Sequence, residues 1–344
     1  MKKTLIALAV LSAAGVASAQ SSVTLYGLAD AYMGSINTKT TTAAGVSTSL
    51  RQNVIDSGGF GSSRFGLSGG EDLGGGLKAI FQLESGVDIS TGAGGTNSVF
   101  NRQSLVGLSG GFGVLRLGKM WSPYDEVNGI GAGAFNEIFS PANNNVFASN
   151  RYNANPSNSI NYTTPNISGF SAALSYSLGE NKTATVNAGS VVSANAQYAG
   201  GPVQVSLSVQ QEKATGAATA VKFTKLNAAY DLSVAKLRAG VAQVKNGTTG
   251  LFGAGAYDKA QDIQLGVDVP LGSALAMSAG VARGKITLAA GGGEIKSTGF
   301  GIAAKYTLSK RTFFYTGLQL AKNKGPGTQE IKTDVFAAGV QHQF

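Results

Sequence analysis

The chain has 344 residues, of which 49 are glycine, about twice the usual share, while charged residues make up 13% against a usual ~25%. So much glycine disfavours an all-helical fold, and so little charge indicates a surface that does not face water everywhere. The absence of cysteine excludes disulfides and thiolate sites. The net charge of +9 is compatible with binding of anionic partners and equally with lysines scattered over the loops that bind no partner.

The first nineteen residues have the pattern of a secretory signal. Lys2 and Lys3 form its basic end, residues 4–16 its apolar run, and residues 17–19 a small-residue cleavage site. We expect residues 1–19 to be removed and residues 20–344 to form a single domain. No segment approaches the roughly 18 apolar residues of a membrane helix, which leaves an exported soluble protein or a β-barrel, and the composition favours the barrel.

Period-two alternation recurs along residues 20–344, interrupted by short segments rich in Gly, Pro or Asp. Consecutive interruptions enclose enough chain for two strands of about ten residues, the length of a tilted membrane strand, and one longer polar loop. Seven short turns on one rim, with both termini there, predict an all-β, sixteen-stranded, antiparallel up-and-down barrel. The seven sites are residues 70–74, 110–113, 165–169, 200–202, 231–233, 270–272 and 308–310.

Two predicted connections on the other rim are long. Residues 36–51 are mainly Thr, Ser, Ala and Gly and are predicted to form an exposed surface loop. Residues 118–159 are rich in Asn and Gly with little alternation, and loops of this length are usually functional or disordered. We expect the second loop to fold inward and narrow a pore; an exposed, disordered loop is the alternative.

The last strand alternates cleanly, with Phe336, Val340 and His342 on one face and Gln341 on the other. It is expected to close the barrel by pairing with the first strand near residues 23–32. Such a strand ending in an aromatic resembles the closing strand of outer-membrane barrels, where a terminal Phe carries the assembly signal. That role would belong to Phe344.

Four segments carry a recognisable pattern, namely residues 22–27, 63–79, 306–312 and 339–344. They resemble the general-diffusion porins of β-proteobacteria, of the Burkholderia, Neisseria and Comamonas types. The resemblance spans the mature chain and implies a trimeric sixteen-stranded barrel with one pore per subunit and the third loop inside the channel. It also implies export through the periplasm to the outer membrane, with membrane lipid, lipopolysaccharide and the assembly machinery as partners.

Alternation assigns basic side chains to the pore wall, because Lys or Arg at mid-depth on the lipid face costs roughly 2–4 kcal/mol. It places Arg64 inside on the strand before the first turn and Lys78 inside on the strand after it. Arg116 lies between two leucines and also points inward, with Lys119 just beyond it. We therefore expect these four residues to contribute to a basic wall.

Arg102 is not settled by alternation, since its face also carries Val106 and Leu108. The resemblance implies that Arg64 and Arg102 belong to an arginine cluster that favours anions. The family's further arginine is missing shortly before Asn158, and Arg151 lies upstream of that place. This departure leaves the strength of any anion preference open. We nevertheless expect Arg151 to belong to the basic wall of the constriction.

Three carboxylates of the long loop, Asp125, Glu126 and Glu137, are expected to face the arginines. Opposite charges across a narrow aqueous gap create a transverse field that discriminates among ions. Alternatively the carboxylates pair with wall arginines and hold the loop in place, and both roles are compatible. Tyr124 and Phe139 are expected to pack the loop against the wall.

Ser68 and Ser109 lie in GxSxG patterns, but a hydrolase elbow needs a strand–turn–helix and a histidine base. The single histidine, His342, lies near the terminus, so neither an enzyme nor a cofactor or transition-metal site is expected, while calcium binding by loop carboxylates stays open. No nucleic-acid partner is expected, since no basic cluster is interleaved with aromatics. The sequence predicts a passive, anion-preferring outer-membrane channel for small solutes and ions. A substrate-selective porin, or a barrel for adhesion or structural anchoring, is the alternative.

Overall fold

The computed structural model describes residues 22–95, 98–135 and 137–344, so the predicted signal segment and the cleavage site before Gln20 lie outside the described residues. The described residues form one antiparallel sheet. Its strands are β1 Ser22–Thr41, β2 Ser47–Ser57, β3 Arg64–Gly74, β4 Leu77–Gly86, β5 Gln103–Gly110, β6 Gly113–Lys119, β7 Ser159–Thr163, β8 Phe170–Leu178, β9 Ser190–Gly200, β10 Val203–Lys213, β11 Val221–Asp231, β12 Lys236–Thr248, β13 Ala256–Leu271, β14 Leu275–Leu288, β15 Glu294–Thr307, β16 Thr312–Lys324 and β17 Glu330–Gln343.

Helical structure is confined to the connections. One α-helical turn, α1 (Pro123–Glu126), and four short 3-10 helices occur among the described residues. In that part of the chain, no helix is both long and apolar enough to cross a membrane. The 3-10 helices are Asn128–Gly131, Ala148–Asn150, Leu251–Gly253 and Ala289–Gly291.

The sheet closes on itself through β1 and β17, which pair from Leu28 opposite Gln343 to Thr41 opposite Glu330. Beyond this ladder Phe344 exchanges two backbone hydrogen bonds with Gly27, of 3.0 and 3.1 Å. The predicted pairing near residues 23–32 was therefore placed too close to the N-terminus, since the ladder between β1 and β17 runs from Leu28 to Thr41. Closure removes the sheet edges, as a barrel in lipid requires.

Strands β2 and β3 are two parts of one barrel strand, because both pair antiparallel with β1. Residues 58–63 interrupt this strand and are held by the buried carboxylate of Asp30. It accepts hydrogen bonds from the backbone N–H groups of Gly59, Phe60 and Gly61 at 3.0–3.1 Å and from the side chains of Tyr315 and Gln341. Counted in this way, the barrel has the sixteen strands that the turn spacing predicts.

Short turns lie at one rim and longer loops at the other. Seven short turns lie close to the predicted sites. They join β3–β4, β5–β6, β7–β8, β9–β10, β11–β12, β13–β14 and β15–β16. The first long loop was predicted wrongly: β1 continues to Thr41 and β2 begins at Ser47, so only residues 42–46 connect them. The β-branched threonines and alternating polar residues of this segment extend the hairpin instead of leaving it irregular.

The two faces of the wall differ as alternation predicts. On β10, Leu207 and Val209 are 50% and 43% exposed on the outer face, while Ser206 and Ser208 on the inner face are fully buried. Exposed aromatics such as Tyr306 and Phe314 lie near the short-turn rim, in the position of an interfacial girdle. The inner face is polar, which suits a water-filled channel.

Candidate pore constriction

The segment between β6 and β7, residues 120–158, lies against the inner face of the wall; we call it loop 3. It begins with α1, whose N-cap is Ser122 and whose first position is Pro123. The Tyr124 N–H donates to Ser193 Oγ at 2.9 Å, and Asn195 Nδ2 donates to the Pro123 carbonyl at 2.7 Å. Ser193 and Asn195 belong to the inner face of β9, so loop 3 enters the barrel at its first residues.

Aromatic packing fixes the start of loop 3, as expected for Tyr124. Its ring is completely buried, with ring centroids 4.6 Å from Tyr152 and 5.9 Å from Phe223. The Lys225 ammonium lies 5.1 Å from the centre of the Tyr124 ring and also donates to Asn128 Oδ1. Burial raises the pKa of Tyr124 well above its usual value, so the phenol stays protonated.

The middle of loop 3 packs directly against glycines of the barrel wall. A Cβ at Gly299 would lie 1.8 Å from the Pro141 carbonyl oxygen, and one at Gly301 would lie 1.9 Å from the Phe139 carbonyl oxygen. The Phe139 side chain is 1% exposed and contacts the ring of Tyr315 at a centroid distance of 6.1 Å. Only residues without a side chain permit this backbone-to-wall contact.

Arg64 and Arg102 share one carboxylate on the opposite part of the wall. The Nε atom of Arg102 lies 2.7 Å from Glu84 Oε1, and that of Arg64 lies 3.6 Å from Glu84 Oε2. Tyr26 donates its hydroxyl to the same carboxylate at 3.0 Å, and the Arg102 guanidinium stacks on Trp121 at 4.9 Å. Arg102 precedes β5, which explains why strand alternation did not settle its direction.

Arg116 and Lys119 also point inward but contact loop 3. Arg116 forms an ion pair of 3.4 Å with Glu126, and the Lys119 ammonium donates to the Asn155 carbonyl at 2.7 Å. Residues near both ends of loop 3, Glu126 and Asn155, are therefore bonded to side chains of β6. The contact between Glu126 and Arg116 agrees with the alternative in which loop carboxylates pair with wall arginines and hold the loop in place.

Lys78 and Arg151 are not brought to the Glu84 group. Lys78 shares the face of Glu84 but lies six residues away on β4, about 20 Å along the strand and beside the short-turn rim. Arg151 donates to Thr249 Oγ1 at 2.6 Å and to Asn145 Oδ1 at 3.0 Å, next to the loop between β12 and β13. Burial lowers the Arg151 pKa, although it remains charged at neutral pH.

The three loop carboxylates have different surroundings. Asp125 accepts a 2.5 Å hydrogen bond from Tyr152, and Glu126 pairs with Arg116. Burial raises the pKa of both, against the opposing effect of these partners. The Glu137 side chain is exposed, but the protein around it desolvates the carboxylate and raises its pKa to about 7, although the charges of Arg102 and Arg64 lower it. Among the described residues Glu137 has no cation within 4.0 Å, so these two arginines act on it from a greater distance.

Comparison with known proteins decides the family. The profile described as Gram-negative porin matches residues 4–326. The chain belongs to this family. The porin is 37% identical to outer membrane porin protein 32 of Delftia acidovorans, over 99% of this chain and 95% of the relative, and 30% identical over the full length of both chains to an outer membrane porin protein of Bordetella pertussis.

A solved structure gives the same result for the fold. The anion-selective porin from Comamonas acidovorans aligns with a TM-score of 0.74 and 27% identity, covering 94% of this porin and all of that chain. The resemblance seen in the sequence is thereby confirmed, as are the sixteen-stranded barrel and its place in the outer membrane. The porin forms a passive channel through that membrane.

Sequence reasoning missed several charged residues inside the porin. Lys225 is 2% exposed beneath loop 3, and Asp262 on β13 accepts the Ser149 N–H at 2.8 Å. Arg238 forms a 2.6 Å ion pair with Asp268 and donates to the Ile130 carbonyl at 2.9 Å. The rule that placed Arg116 inside also finds Lys225, since it alternates with lipid-facing Leu226 on β11.

Proposed function

We propose that the porin prefers anions and that its selectivity is set where loop 3 faces Arg64 and Arg102. The observation that carries this proposal is charge imbalance, because the two guanidinium groups share the single carboxylate of Glu84. The Arg64 side chain is 33% exposed, so passing ions can approach it. Excess positive charge at a narrow aqueous passage lowers the free energy of anions there and raises that of cations.

The basic side chains named above divide into two roles under this proposal. Arg64 and Arg102 act on passing ions, while Arg116, Lys119 and Arg151 hold loop 3 through their contacts with it. Lys78 acts at the short-turn mouth and not at the constriction. Of the six, the first two therefore carry most of the selectivity.

The acidic side chains divide in the same way. Asp125 and Glu126 hold loop 3 through Tyr152 and Arg116, whereas Glu137 faces the lumen and supplies the negative side of a transverse field. With a pKa of about 7, Glu137 is only partly ionised at neutral pH, which leaves the field weighted towards the arginines. This balance supports anion preference over a symmetric pair of opposite charges.

Recording single channels of the purified porin in a planar bilayer under a KCl gradient tests the proposal. We expect a reversal potential with the sign of chloride preference. A potential of the opposite sign would refute anion preference, and absence of conductance would refute the channel. Comparing the permeation of anionic, neutral and cationic solutes of equal size separates a general-diffusion porin from a substrate-selective one.

We also propose that the porin is a homotrimer and that it is exported through the periplasm with removal of residues 1–19. In the membrane it contacts lipid and lipopolysaccharide, and transport involves no cofactor or chemical step.

Assembly is proposed to depend on Phe344, whose ring covers Gly27 so closely that a Cβ there would lie 2.2 Å from it. Deleting Phe344 should reduce the amount of inserted porin more than the conductance of each channel. Unchanged insertion with reduced conductance would contradict this role, and light scattering of the purified protein measures the oligomeric state.

A further inference from the structure

Lysines cross the outer surface of the barrel in direct cross-strand register near the long-loop rim. Lys245 lies opposite Lys259, Lys285 opposite Lys296, and Lys296 opposite Lys324. We define the lysine ladder as the set on β12 to β16, namely Lys245, Lys259, Lys285, Lys296, Lys322 and Lys324.

The row continues beyond these five strands. Lys222 on β11 lies opposite Lys245, and Lys332 on β17 lies opposite Lys322. The repetition from strand to strand distinguishes the ladder from the scattered lysines that a basic composition alone would give.

The ladder faces away from the pore. On β12, Lys245 shares its face with Val241, which is 45% exposed, while the intervening Val244 is completely buried. On β15, Lys296 shares its face with Phe300, which is 38% exposed, while Ile295 is completely buried. These lysines therefore cannot act on solutes inside the channel.

The height of the ladder corresponds to the membrane boundary. Ten residues separate Tyr306, near the short-turn rim, from Lys296 on β15, which is about 33 Å along a strand. A strand tilt of about 40° reduces this to roughly 25 Å, the usual height of the apolar band of such barrels. Because short turns are periplasmic in this class, the ladder lies at the level of the outer-leaflet headgroups.

Like charges directly opposite each other destabilise a sheet. Carboxylates of the protein neutralise only some of the lysines in the ladder. Glu294 lies 2.5 Å from Lys285 and 3.4 Å from Lys296. Glu330 lies 2.9 Å from Lys322 and 3.1 Å from Lys332. Across the described ranges, Lys245, Lys259 and Lys324 have no carboxylate within 4.0 Å. These three ammonium groups are therefore available to anions from outside the chain.

We propose that the lysine ladder binds the phosphate groups of the glycolipid that forms the outer leaflet of the outer membrane. This deepens the proposed contact with lipopolysaccharide and rests on it. The lysines need an anionic group, which phosphate supplies, and the apolar side chains four residues further along the same outer face, including Val281 and Ile263, need acyl chains. A phosphorylated glycolipid satisfies both, whereas a free anion satisfies only the lysines.

The ladder is wide enough for more than one phosphate. Five neighbouring strands at about 4.8 Å span roughly 19 Å. The ion pairs with Glu294 hold the ammonium groups of Lys285 and Lys296 beside each other, so part of the ladder is ordered before lipid binds. Basic residues next to an anionic membrane surface each contribute roughly fivefold in affinity, about 1 kcal/mol.

The test compares two variants that lose equal charge. The ladder variant carries Lys285→Gln, Lys296→Gln and Lys324→Gln; the control variant carries Lys182→Gln, Lys310→Gln and Arg311→Gln, which lie in the β8–β9 loop and the last short turn. Purified lipopolysaccharide is titrated onto each folded protein in detergent without divalent cations. We expect the ladder variant to bind at least about tenfold more weakly and the control within about twofold of the unmodified protein.

Further binding measurements identify which group of the lipid the ladder binds. Dephosphorylated lipopolysaccharide should bind the unmodified protein and the ladder variant equally, and inorganic phosphate should not displace the lipid. Unchanged affinity of the ladder variant, or complete displacement by inorganic phosphate, would overturn the proposal. If the triple variant does not fold, Lys296→Gln alone should weaken binding roughly fivefold.

Channel recordings on the same variants separate this inference from the pore proposal. The reversal potential should be unchanged in the ladder variant, because its lysines lie outside the channel. A porin without anion preference that still loses lipopolysaccharide binding with the ladder would refute the pore proposal and leave the lipid site supported.

Discussion

Replacing Glu84 by Gln should increase anion preference. Tyr26 and Arg102 donate to different oxygens of Glu84, so the amide of Gln can accept only one of these two hydrogen bonds. The substitution removes the negative charge that Arg64 and Arg102 share. A unit charge about 7 Å from a passing ion contributes about 0.6 kcal/mol in water, and screening at 0.1 M salt reduces this to about 0.3 kcal/mol. The effect has opposite signs for anions and cations, so the permeability ratio should change by about threefold.

The assay is the reversal potential of single channels in a KCl gradient, with Glu180→Gln as control. Glu180 lies in the exposed loop between β8 and β9 and accepts a hydrogen bond from Asn158, so its replacement removes the same charge away from the arginines. The reversal potential should move towards the chloride equilibrium potential for Glu84→Gln and stay in place for Glu180→Gln. An equal shift in both variants would show that overall charge, not the Arg64 and Arg102 pair, sets selectivity. No shift in either would show that ions pass beyond the reach of these arginines.

Three further outcomes are expected. Because desolvation inside the barrel raises the pKa of Glu137 to about 7, its carboxylate gains a proton as the pH falls; anion preference should increase roughly threefold from about pH 8 to about pH 6, and Glu137→Gln should abolish this dependence in reversal-potential titrations. Asp30→Asn should lower the free energy of unfolding in denaturant by about 3 kcal/mol, because a buried amide cannot accept all five hydrogen bonds. Half-buried Asp88→Asn should have little effect, because the hydrogen bonds to Asp88 all go to one oxygen, which the amide can keep. Gly301→Val should cost about 1–3 kcal/mol of overpacking, detach loop 3 and make single-channel currents noisier, unlike Gly255→Val, which has no atom within 4 Å of its Cβ position.

The sequence predicted the strand number because six of the seven short turns carry Gly, Pro or Asp where the chain reverses, and the seventh, residues 308–311, is a short polar interruption between two alternating segments. The division between lipid-facing and inward-facing side chains followed from alternation, which assigned Arg64 and Arg116 to the inward face; in the structure Arg64 lies 3.6 Å from Glu84 and Arg116 lies 3.4 Å from Glu126 of loop 3. Alternation failed at Arg102, which lies just outside a strand, where period two no longer applies. It also could not reveal the Asp30 site, since the five groups that donate to this carboxylate come from distant parts of the chain.

The constriction was harder to predict than the wall. That Glu126 meets Arg116 while Glu137 faces open space depends on the path of loop 3, which is set by contacts with strands on the far side of the barrel. Left-handed backbone at Ala134, Phe135 and Glu137 marks a sharp reversal that these residue types do not signal. The sequence could therefore name the carboxylates but not assign their partners.

The inward path of loop 3 is nevertheless encoded in the wall, in the glycines that composition alone left unexplained. On β13 to β16 the inner face carries glycines whose missing side chains are replaced by loop 3 atoms, whereas on β3 to β6 the inner face carries the arginines. The wall of β13 to β16 thus accepts the backbone of loop 3 at close range, and the arginines lie on the other part of the wall. Glycines at the contact therefore contribute to where loop 3 lies, and the position of the arginines contributes to the charge that faces it. The glycines in contact with loop 3 are Gly266, Gly280, Gly284, Gly299, Gly301 and Gly317.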